Sequence, residues 1–162
     1  MAKILELKID IEVAESMDDL DPQWQRLIRE AGESINGAYA PYSNFYVGAA
    51  VLLNNNIIVT GNNQENAAYP AGMCAERVAL FSAAAQYPAY PVERIAIVAR
   101  KNNSQEFLPA SPCGSCRQVM SEYETRSKNP IQVLIFAPDK NMYIIKGIDS
   151  LLPIKFSKND LP

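Results

Sequence analysis

Residues 95–99 read IAIVA, an uninterrupted apolar run near the middle of the chain. A strand that carries apolar side chains on both faces must be covered by other elements on both faces. These residues therefore predict a central strand in a sheet that has helices packed against it. Residues 131–137 (IQVLIFA) predict a second buried strand, and residues 142–146 (MYIIK) are expected to pair with it across a turn at residues 139–141.

Three helices are predicted around these strands. Asp21 followed by Pro22 is typical of a helix N-cap and the first helical position, so the first helix is expected over residues 21–37. The second helix is expected over residues 74–86, where it ends before a proline. The third is expected over residues 114–126.

The remaining predicted strands lie towards the N-terminus. Residues 45–53 and 57–61 are expected to form a hairpin around the three asparagines at 54–56. Residues 3–13 alternate in the manner of a strand, with apolar members Ile4, Leu7, Ile9, Ile11 and Val13. The element order β-αββ-αβ-αββ predicts an α/β domain with helices layered on a central sheet.

The composition describes one globular domain and disfavours polynucleotide partners. The chain has 162 residues, of which 48% are hydrophobic and 20% are charged. Fifteen Lys and Arg oppose eighteen Asp and Glu, whereas a nucleic-acid partner requires a cationic surface. No apolar segment is long enough to span a membrane, and the N-terminus lacks a signal-peptide pattern. We therefore expect a cytoplasmic protein with no membrane or nucleic-acid partner.

The three cysteines predict a metal site. Cys113 and Cys116 form a CxxC unit at the start of the third predicted helix, and Cys74 lies at the start of the second. Helix N-termini favour thiolates, and three thiolates suit Zn²⁺ while leaving a fourth tetrahedral position for water. Because the chain has no histidine and no fourth cysteine, an open catalytic zinc site is favoured over a closed structural one.

Two charged residues follow Cys74 directly in the sequence. Glu76 is the candidate proton carrier, and Arg77 is the candidate cation that offsets the excess negative charge of three thiolates around one zinc ion. Two other uses of the cysteines are open, namely a redox-active CxxC pair and plain burial as small apolar residues. The confinement of all three cysteines to two short helix-start motifs favours the metal site.

Longer segments of the chain resemble the small, homotetrameric cytidine deaminases, in which a third cysteine replaces the histidine zinc ligand. The matching segments are residues 40–50 (APYSNFYVGAA), 61–77 (GNNQENAAYPAGMCAER), 111–119 (SPCGSCRQV) and 151–156 (LLPIKF). They occur in matching order over residues 22–162. The resemblance implies a three-layer α/β/α sandwich with a five-stranded mixed sheet. Residues 1–20 are then expected to be an N-terminal extension whose strand is either an added sheet edge or an interface element, and residues 21–162 the catalytic domain.

The resemblance also implies a role for each candidate site residue. One zinc ion per chain would be held by Cys74, Cys113 and Cys116, with Glu76 as the proton shuttle. The implied substrate contacts are Asn63 and Glu65 at the ribose hydroxyls, Phe45 against the pyrimidine, and Phe156 from a neighbouring subunit. Without the resemblance, Asn63 would be taken for a turn residue, Glu65 for a solvated charge, and both phenylalanines for core residues.

The implied activity is hydrolytic deamination of cytidine, and of 2′-deoxycytidine, to uridine or 2′-deoxyuridine plus ammonia, in pyrimidine salvage. One alternative is a deaminase of the same fold that acts on another aminated ring, such as blasticidin S, a free base or a nucleotide. Asn63 and Glu65 favour a ribose, and the acidic Glu65 disfavours a phosphate. A more distant alternative is a non-catalytic module stabilised by zinc, in which Glu76 would have no use.

Overall fold

The computed structural model describes residues 2–102 and 104–161. The strands are β1 (Ile11–Ala14), β2 (Phe45–Leu53), β3 (Ile58–Asn62), β4 (Val92–Lys101), β5 (Gln132–Phe136) and β6 (Met142–Lys146). The α-helices are α1 (Pro22–Ser34), α2 (Ala75–Gln86) and α3 (Gly114–Ser127). No helix within these residues has the length and apolar character needed to cross a membrane.

Within the described residues the strands form one mixed sheet in the order β1-β6-β5-β4-β2-β3. β4 and β5 are parallel, and the other neighbouring pairs are antiparallel. Residues 95–99 lie in β4 at the centre of the sheet, where each is at most 1% exposed. The prediction of a central strand covered on both faces is therefore confirmed.

Alternate residues of β4 pack into two separate cores. Ile95 and Ile97 join the core beneath α2 and α3, whereas Ala96 and Val98 join the core beneath α1. The helices therefore cover opposite faces of the sheet, which confirms the three-layer sandwich. Helix α1 begins as predicted, because the Asp21 carboxylate accepts hydrogen bonds from backbone N–H groups in the first turn.

The N-terminal strand is present but much shorter than predicted. The sequence predicted a strand over residues 3–13, whereas β1 begins at Ile11 and pairs with β6 at the edge of the sheet. Ile11 lies opposite Ile145, one residue before β6 ends. Gly147 then turns the chain away with a φ of +83°. Residues 2–10 consequently have no neighbouring strand with which to pair.

A glycine brings β3 directly against the helix that carries the first cysteine. A Cβ at Gly61 would lie 2.4 Å from the backbone nitrogen of Ala79 and 2.6 Å from the carbonyl oxygen of Ala75, both in α2. No larger residue fits without moving one of the two elements. The contact fixes the start of α2 relative to the end of β3.

Candidate metal centre

The three cysteines lie at the N-termini of α2 and α3, as predicted. Cys74 is the N-cap residue of α2 and Cys113 is the N-cap residue of α3. Cys116 is buried in the first turn of α3. The first turns of both helices have free backbone N–H groups, which favour negative charge on nearby sulfur atoms.

The spacing of the sulfur atoms fits a metal ion. All three Sγ atoms lie within 4.8 Å of one another, and those of Cys113 and Cys116 are 3.5 Å apart. Tetrahedral bonds of about 2.3 Å from zinc to sulfur would separate the sulfurs by about 3.8 Å. None of the three cysteines forms a disulfide. The three sulfur atoms therefore lie close enough together to bind one metal ion.

The short distances between the sulfur atoms shift the pKa values of Cys74 and Cys116 in opposite directions. A hydrogen bond with the Cys116 thiol lowers the pKa of Cys74 to about 5, against the opposing effect of burial, and Arg77 contributes to the lowering. The same hydrogen bond and burial raise the pKa of Cys116. A metal ion that binds all three sulfurs must displace the remaining protons.

Glu76 is a buried carboxyl group beside this cluster. It lies in the first turn of α2 and is only 5% exposed. Burial raises its pKa, and the negative charge of Cys74 raises it further, while a hydrogen bond with Cys116 opposes the rise. A carboxyl group with a raised pKa holds a proton more readily than a free carboxyl group does.

Arg77 places a positive charge against the same cluster. Its Nη2 atom lies 3.7 Å from the Sγ atom of Cys74. That contact raises the pKa of the guanidinium group, so it stays charged. The Nε atom is buried and has no hydrogen-bond partner in the described part of the chain.

An open cavity of about 750 Å³ lies next to the cluster. It is lined by residues 63–67, 69–70 and 72–74, together with Tyr42, Ser43, Arg77 and Ser115. Its volume is in the range that holds a small organic ligand, about 300–1,000 Å³. The cavity brings Cys74 and Arg77 together with Asn63 and Glu65, as the site prediction requires.

Asn63 and Glu65 are neither plain turn residues nor solvated charges. Asn63 Oδ1 accepts from the Val47 N–H at 2.8 Å, and Asn63 Nδ2 donates to the Phe45 carbonyl at 2.9 Å. The Glu65 carboxylate accepts from the Tyr42 N–H at 2.9 Å and from the Ser43 hydroxyl at 2.5 Å. Asn63 thus holds the start of β2, and Glu65 holds the segment that leads into it.

Ser43 is a residue of this site that the sequence reasoning did not single out. Its hydroxyl donates to Glu65 and accepts from the backbone N–H of Phe45 at 3.0 Å. The hydrogen bond from Ser43 is the main reason that the pKa of Glu65 is lowered. The sequence feature that could have identified Ser43 is its position within the matching segment 40–50, two residues before Phe45.

The two phenylalanines do not line the cavity of the single chain. Phe45 is the first residue of β2 and is partly buried. Phe156 is 61% exposed, and its carbonyl accepts from Gln118 Nε2 at 2.8 Å. The alternative in which Phe156 packs into its own core is therefore wrong. Its contact with a neighbouring subunit stays a prediction.

A family model and several known proteins are similar to this chain. The family model described as "Cytidine and deoxycytidylate deaminase zinc-binding region" matches residues 22–129. The cytidine deaminase of Sporosarcina psychrophila is 38% identical over 137 residues, which cover 85% of this chain and 93% of that protein. That of Halalkalibacterium halodurans is 47% identical over 98 residues, which cover 60% of this chain and 70% of that protein.

Solved structures of cytidine deaminases are similar as well. The crystal structure from Burkholderia pseudomallei matches with a TM-score of 0.68 and 39% identity, and the match covers 82% of this chain and 98% of that chain. The structure from Mycobacterium tuberculosis matches with a TM-score of 0.65 and 32% identity, over 85% and 99% of the two chains.

Proposed function

The chain belongs to the cytidine and deoxycytidylate deaminase family, and we propose that it is a zinc-dependent enzyme that deaminates cytidine and 2′-deoxycytidine. Water adds to C4 of the cytosine ring, and the amino group leaves as ammonia to give uridine or 2′-deoxyuridine. The observation that carries this proposal is the buried Glu76 beside three converging thiol groups, next to a cavity of nucleoside size. Pyrimidine salvage in the cytoplasm is the corresponding cellular role.

The donor set of the metal site fits zinc. Cys74, Cys113 and Cys116 supply three soft thiolate ligands, and the described residues contain no fourth cysteine or histidine to close the site. When bound there, zinc would supply a Lewis acid that lowers the pKa of water to about 7.

Glu76 carries the protons of the reaction. It takes a proton from the attacking water and delivers it to N3 of the ring, which makes C4 more electrophilic. It then takes the proton of the new C4 hydroxyl group and passes it to the departing amino group, so that ammonia leaves as the C4 carbonyl forms. The raised pKa of Glu76 supports this role, because the carboxyl group must hold a proton between these steps.

Arg77 offsets the negative charge of the metal site. Three thiolates around a zinc dication would leave a net charge of −1, which would weaken zinc as a Lewis acid. The guanidinium group, 3.7 Å from the sulfur of Cys74, is placed to compensate for part of that charge.

The polar wall of the cavity selects a nucleoside. Glu65 is the acceptor for a ribose hydroxyl, and its lowered pKa keeps it ionised at neutral pH. The Asn63 amide uses one N–H and one lone pair within the chain, so a second N–H and a second lone pair are left for the sugar. Because Glu65 is negative, a 5′-phosphate group in the same cavity is disfavoured. Phe45 is proposed to contact the pyrimidine.

The active site is completed by a neighbouring subunit in a homotetramer. Phe156 is an aromatic residue that is mostly exposed in the single chain and contributes nothing to its own cavity. Large exposed aromatic residues are typical of interface contacts. We therefore assign Phe156 to the substrate site of an adjacent copy.

The loss of ultraviolet absorbance that accompanies deamination tests the activity directly. Purified protein is incubated separately with cytidine, 2′-deoxycytidine, cytosine, CMP, adenosine and blasticidin S. We expect turnover of the first two substrates alone. Turnover of blasticidin S or CMP in preference to cytidine would replace the proposed substrate, and inactivity of zinc-loaded protein on every substrate would favour a non-catalytic module.

A further inference from the structure

The N-terminal arm, defined as residues 2–10, carries an unusual exposed pattern. From Leu5 to Val13 every odd-numbered residue is apolar, and residues 6, 8, 10 and 12 are charged. The odd-numbered side chains are widely exposed: Leu5 83%, Leu7 57%, Ile9 45%, Ile11 43% and Val13 51%. Strict alternation with period two is typical of a strand that has one face buried. The arm therefore has an apolar face that the single chain does not cover.

The arm continues into β1, whose outer edge is also unpaired in the described part of the chain. β1 pairs with β6 on one side, and its other side has no neighbouring strand in the described part of the chain. Only Ala14 of β1 is buried. An exposed edge strand with unpaired backbone groups pairs readily with a strand from another molecule. The arm contains no proline that would prevent such pairing.

We propose that the arm pairs with the same arm of a second copy, antiparallel and centred on Leu7. In this register Leu7 faces Leu7, Leu5 faces Ile9, and Glu6 faces Lys8. A two-fold axis through Leu7 repeats each contact, as in any isologous interface. The pairing gives the free backbone groups of each arm a partner, brings apolar side chains of the two arms into cross-strand contact, and links the two sheets through their arms.

The charges of the arm select this register over its neighbours. With the axis at Leu7, Glu6 and Lys8 make two cross-strand pairs of opposite charge, and no like charges meet. An axis at Glu6 or at Lys8 places that residue against its own copy. An axis at Ile9 gives two Lys8–Asp10 pairs but sets Glu6 against Glu12. Like charges directly opposite one another destabilise a strand pair, and opposite charges stabilise it.

The other symmetric arrangements are less favourable. An axis at Leu5 makes no pair of opposite charges, because Glu6 then faces Ile4 and Lys8 faces Ala2. An axis between two residues sets odd-numbered apolar residues against even-numbered charged ones. Parallel pairing about a two-fold axis turns the apolar faces of the two arms to opposite sides of the sheet. Within the single chain, Lys8 contacts Asp10 at 2.9 Å, but both side chains are more than 80% exposed. Such an exposed pair is weak and leaves Lys8 available to a second copy.

Disulfide trapping in the full-length, zinc-loaded protein tests the register. Leu7→Cys places the two new cysteines opposite each other across the axis. Their Cα atoms then lie within the separation of about 4.4–6.8 Å that a disulfide requires. Leu5→Cys is the matched control, because its two copies would be offset by about 13 Å along the strands. Under mild oxidation we expect covalent dimers on a denaturing gel from Leu7→Cys and only the wild-type background from Leu5→Cys. Equal trapping by both variants, or none by Leu7→Cys, would overturn the proposal.

Charge reversal tests the same contact without new cysteines. Glu6→Lys alone and Lys8→Glu alone each create like-charge pairs, so each should weaken association of the arms by roughly tenfold. The double reversal restores opposite charges and should restore association in sedimentation velocity runs. A double variant no better than the two single ones would contradict the register. Because the arm is far in sequence from the metal centre, cytidine turnover reports separately on the proposed function.

Discussion

The metal centre and the polar wall of the adjoining cavity are built in different ways. The metal centre uses N-cap and first-turn residues of α2 and α3, and its chemical groups Cys116 and Glu76 are buried. The polar wall uses the irregular segment between β3 and α2, where Asn63 and Glu65 are held by hydrogen bonds to residues 42–47.

We therefore expect the metal centre to determine the rate of the reaction and the polar wall to determine which substrate binds. Helix starts that are backed by a core hold their side chains in one geometry, which metal binding and proton transfer both require. The polar wall depends on contacts between distant segments, and we propose that Phe156 acts in the substrate site of another copy of the chain. We therefore expect substitutions at the metal centre to abolish turnover and substitutions at the wall to change substrate preference.

The largest effect on turnover is expected for Glu76→Gln. The substitution keeps the shape of the side chain but removes its ability to accept a proton, so kcat should fall by roughly 10²-fold or more while zinc stays bound. Glu122→Gln, at an exposed position of α3, is the matched control and should be neutral. A kcat for Glu76→Gln within a few-fold of wild type would remove Glu76 from the mechanism.

The second-largest effect is expected at Phe156, and it tests whether a second subunit completes the substrate site. Phe156→Ala should lose most activity, whereas Ile154→Ala, at a neighbouring residue that is 89% exposed, should lose little. Mixed oligomers of Phe156→Ala and Glu76→Gln subunits should be more active than either variant alone. The Phe156→Ala subunit keeps an intact Glu76, and its Glu76→Gln neighbour supplies an intact Phe156. Lack of recovery in mixtures that demonstrably exchange subunits would assign Phe156 elsewhere.

A moderate effect on substrate preference is expected at Glu65. Glu65→Ala should raise the KM for cytidine by roughly tenfold or more, as expected for a hydrogen bond to a charged group. It should affect 3′-deoxycytidine much less, since that substrate lacks the hydroxyl. Gln64→Ala is the control, because that side chain bonds Gly37 and Asn62 instead. Equal losses on the two substrates would show that Glu65 acts only by holding the loop.

The smallest effect is expected at Ser43. Ser43→Ala should raise the KM for cytidine by a few-fold, since the loss of one hydrogen bond costs about 1 kcal/mol, while Ser43→Thr retains the hydroxyl and should be near wild type. Loss of the hydroxyl should also raise the pKa of Glu65. As the pH falls, the KM of Ser43→Ala should therefore begin to rise at a higher pH than that of the wild type. Superimposable KM profiles for the two proteins would exclude this role.

Local signals predicted the metal centre and most of the sheet. Asp21-Pro22, the apolar run in β4 and the cysteines at helix starts each depend on interactions between near neighbours in the chain. The length of β1 was not predictable, because it depends on where β6 ends and where Gly147 turns. The hydrogen bonds of Asn63 and Glu65 were not predictable either, since their partners lie some 16 to 23 residues away.

Native mass spectrometry of the purified chain tests the central claim most directly. We predict one zinc ion per chain in the wild type and in Glu76→Gln, and loss of zinc in Cys113→Ala, because that variant removes one of three ligands. The same samples should show cytidine turnover in the wild type alone. Zinc retained at full occupancy by Cys113→Ala, or active wild-type protein without zinc, would contradict the account.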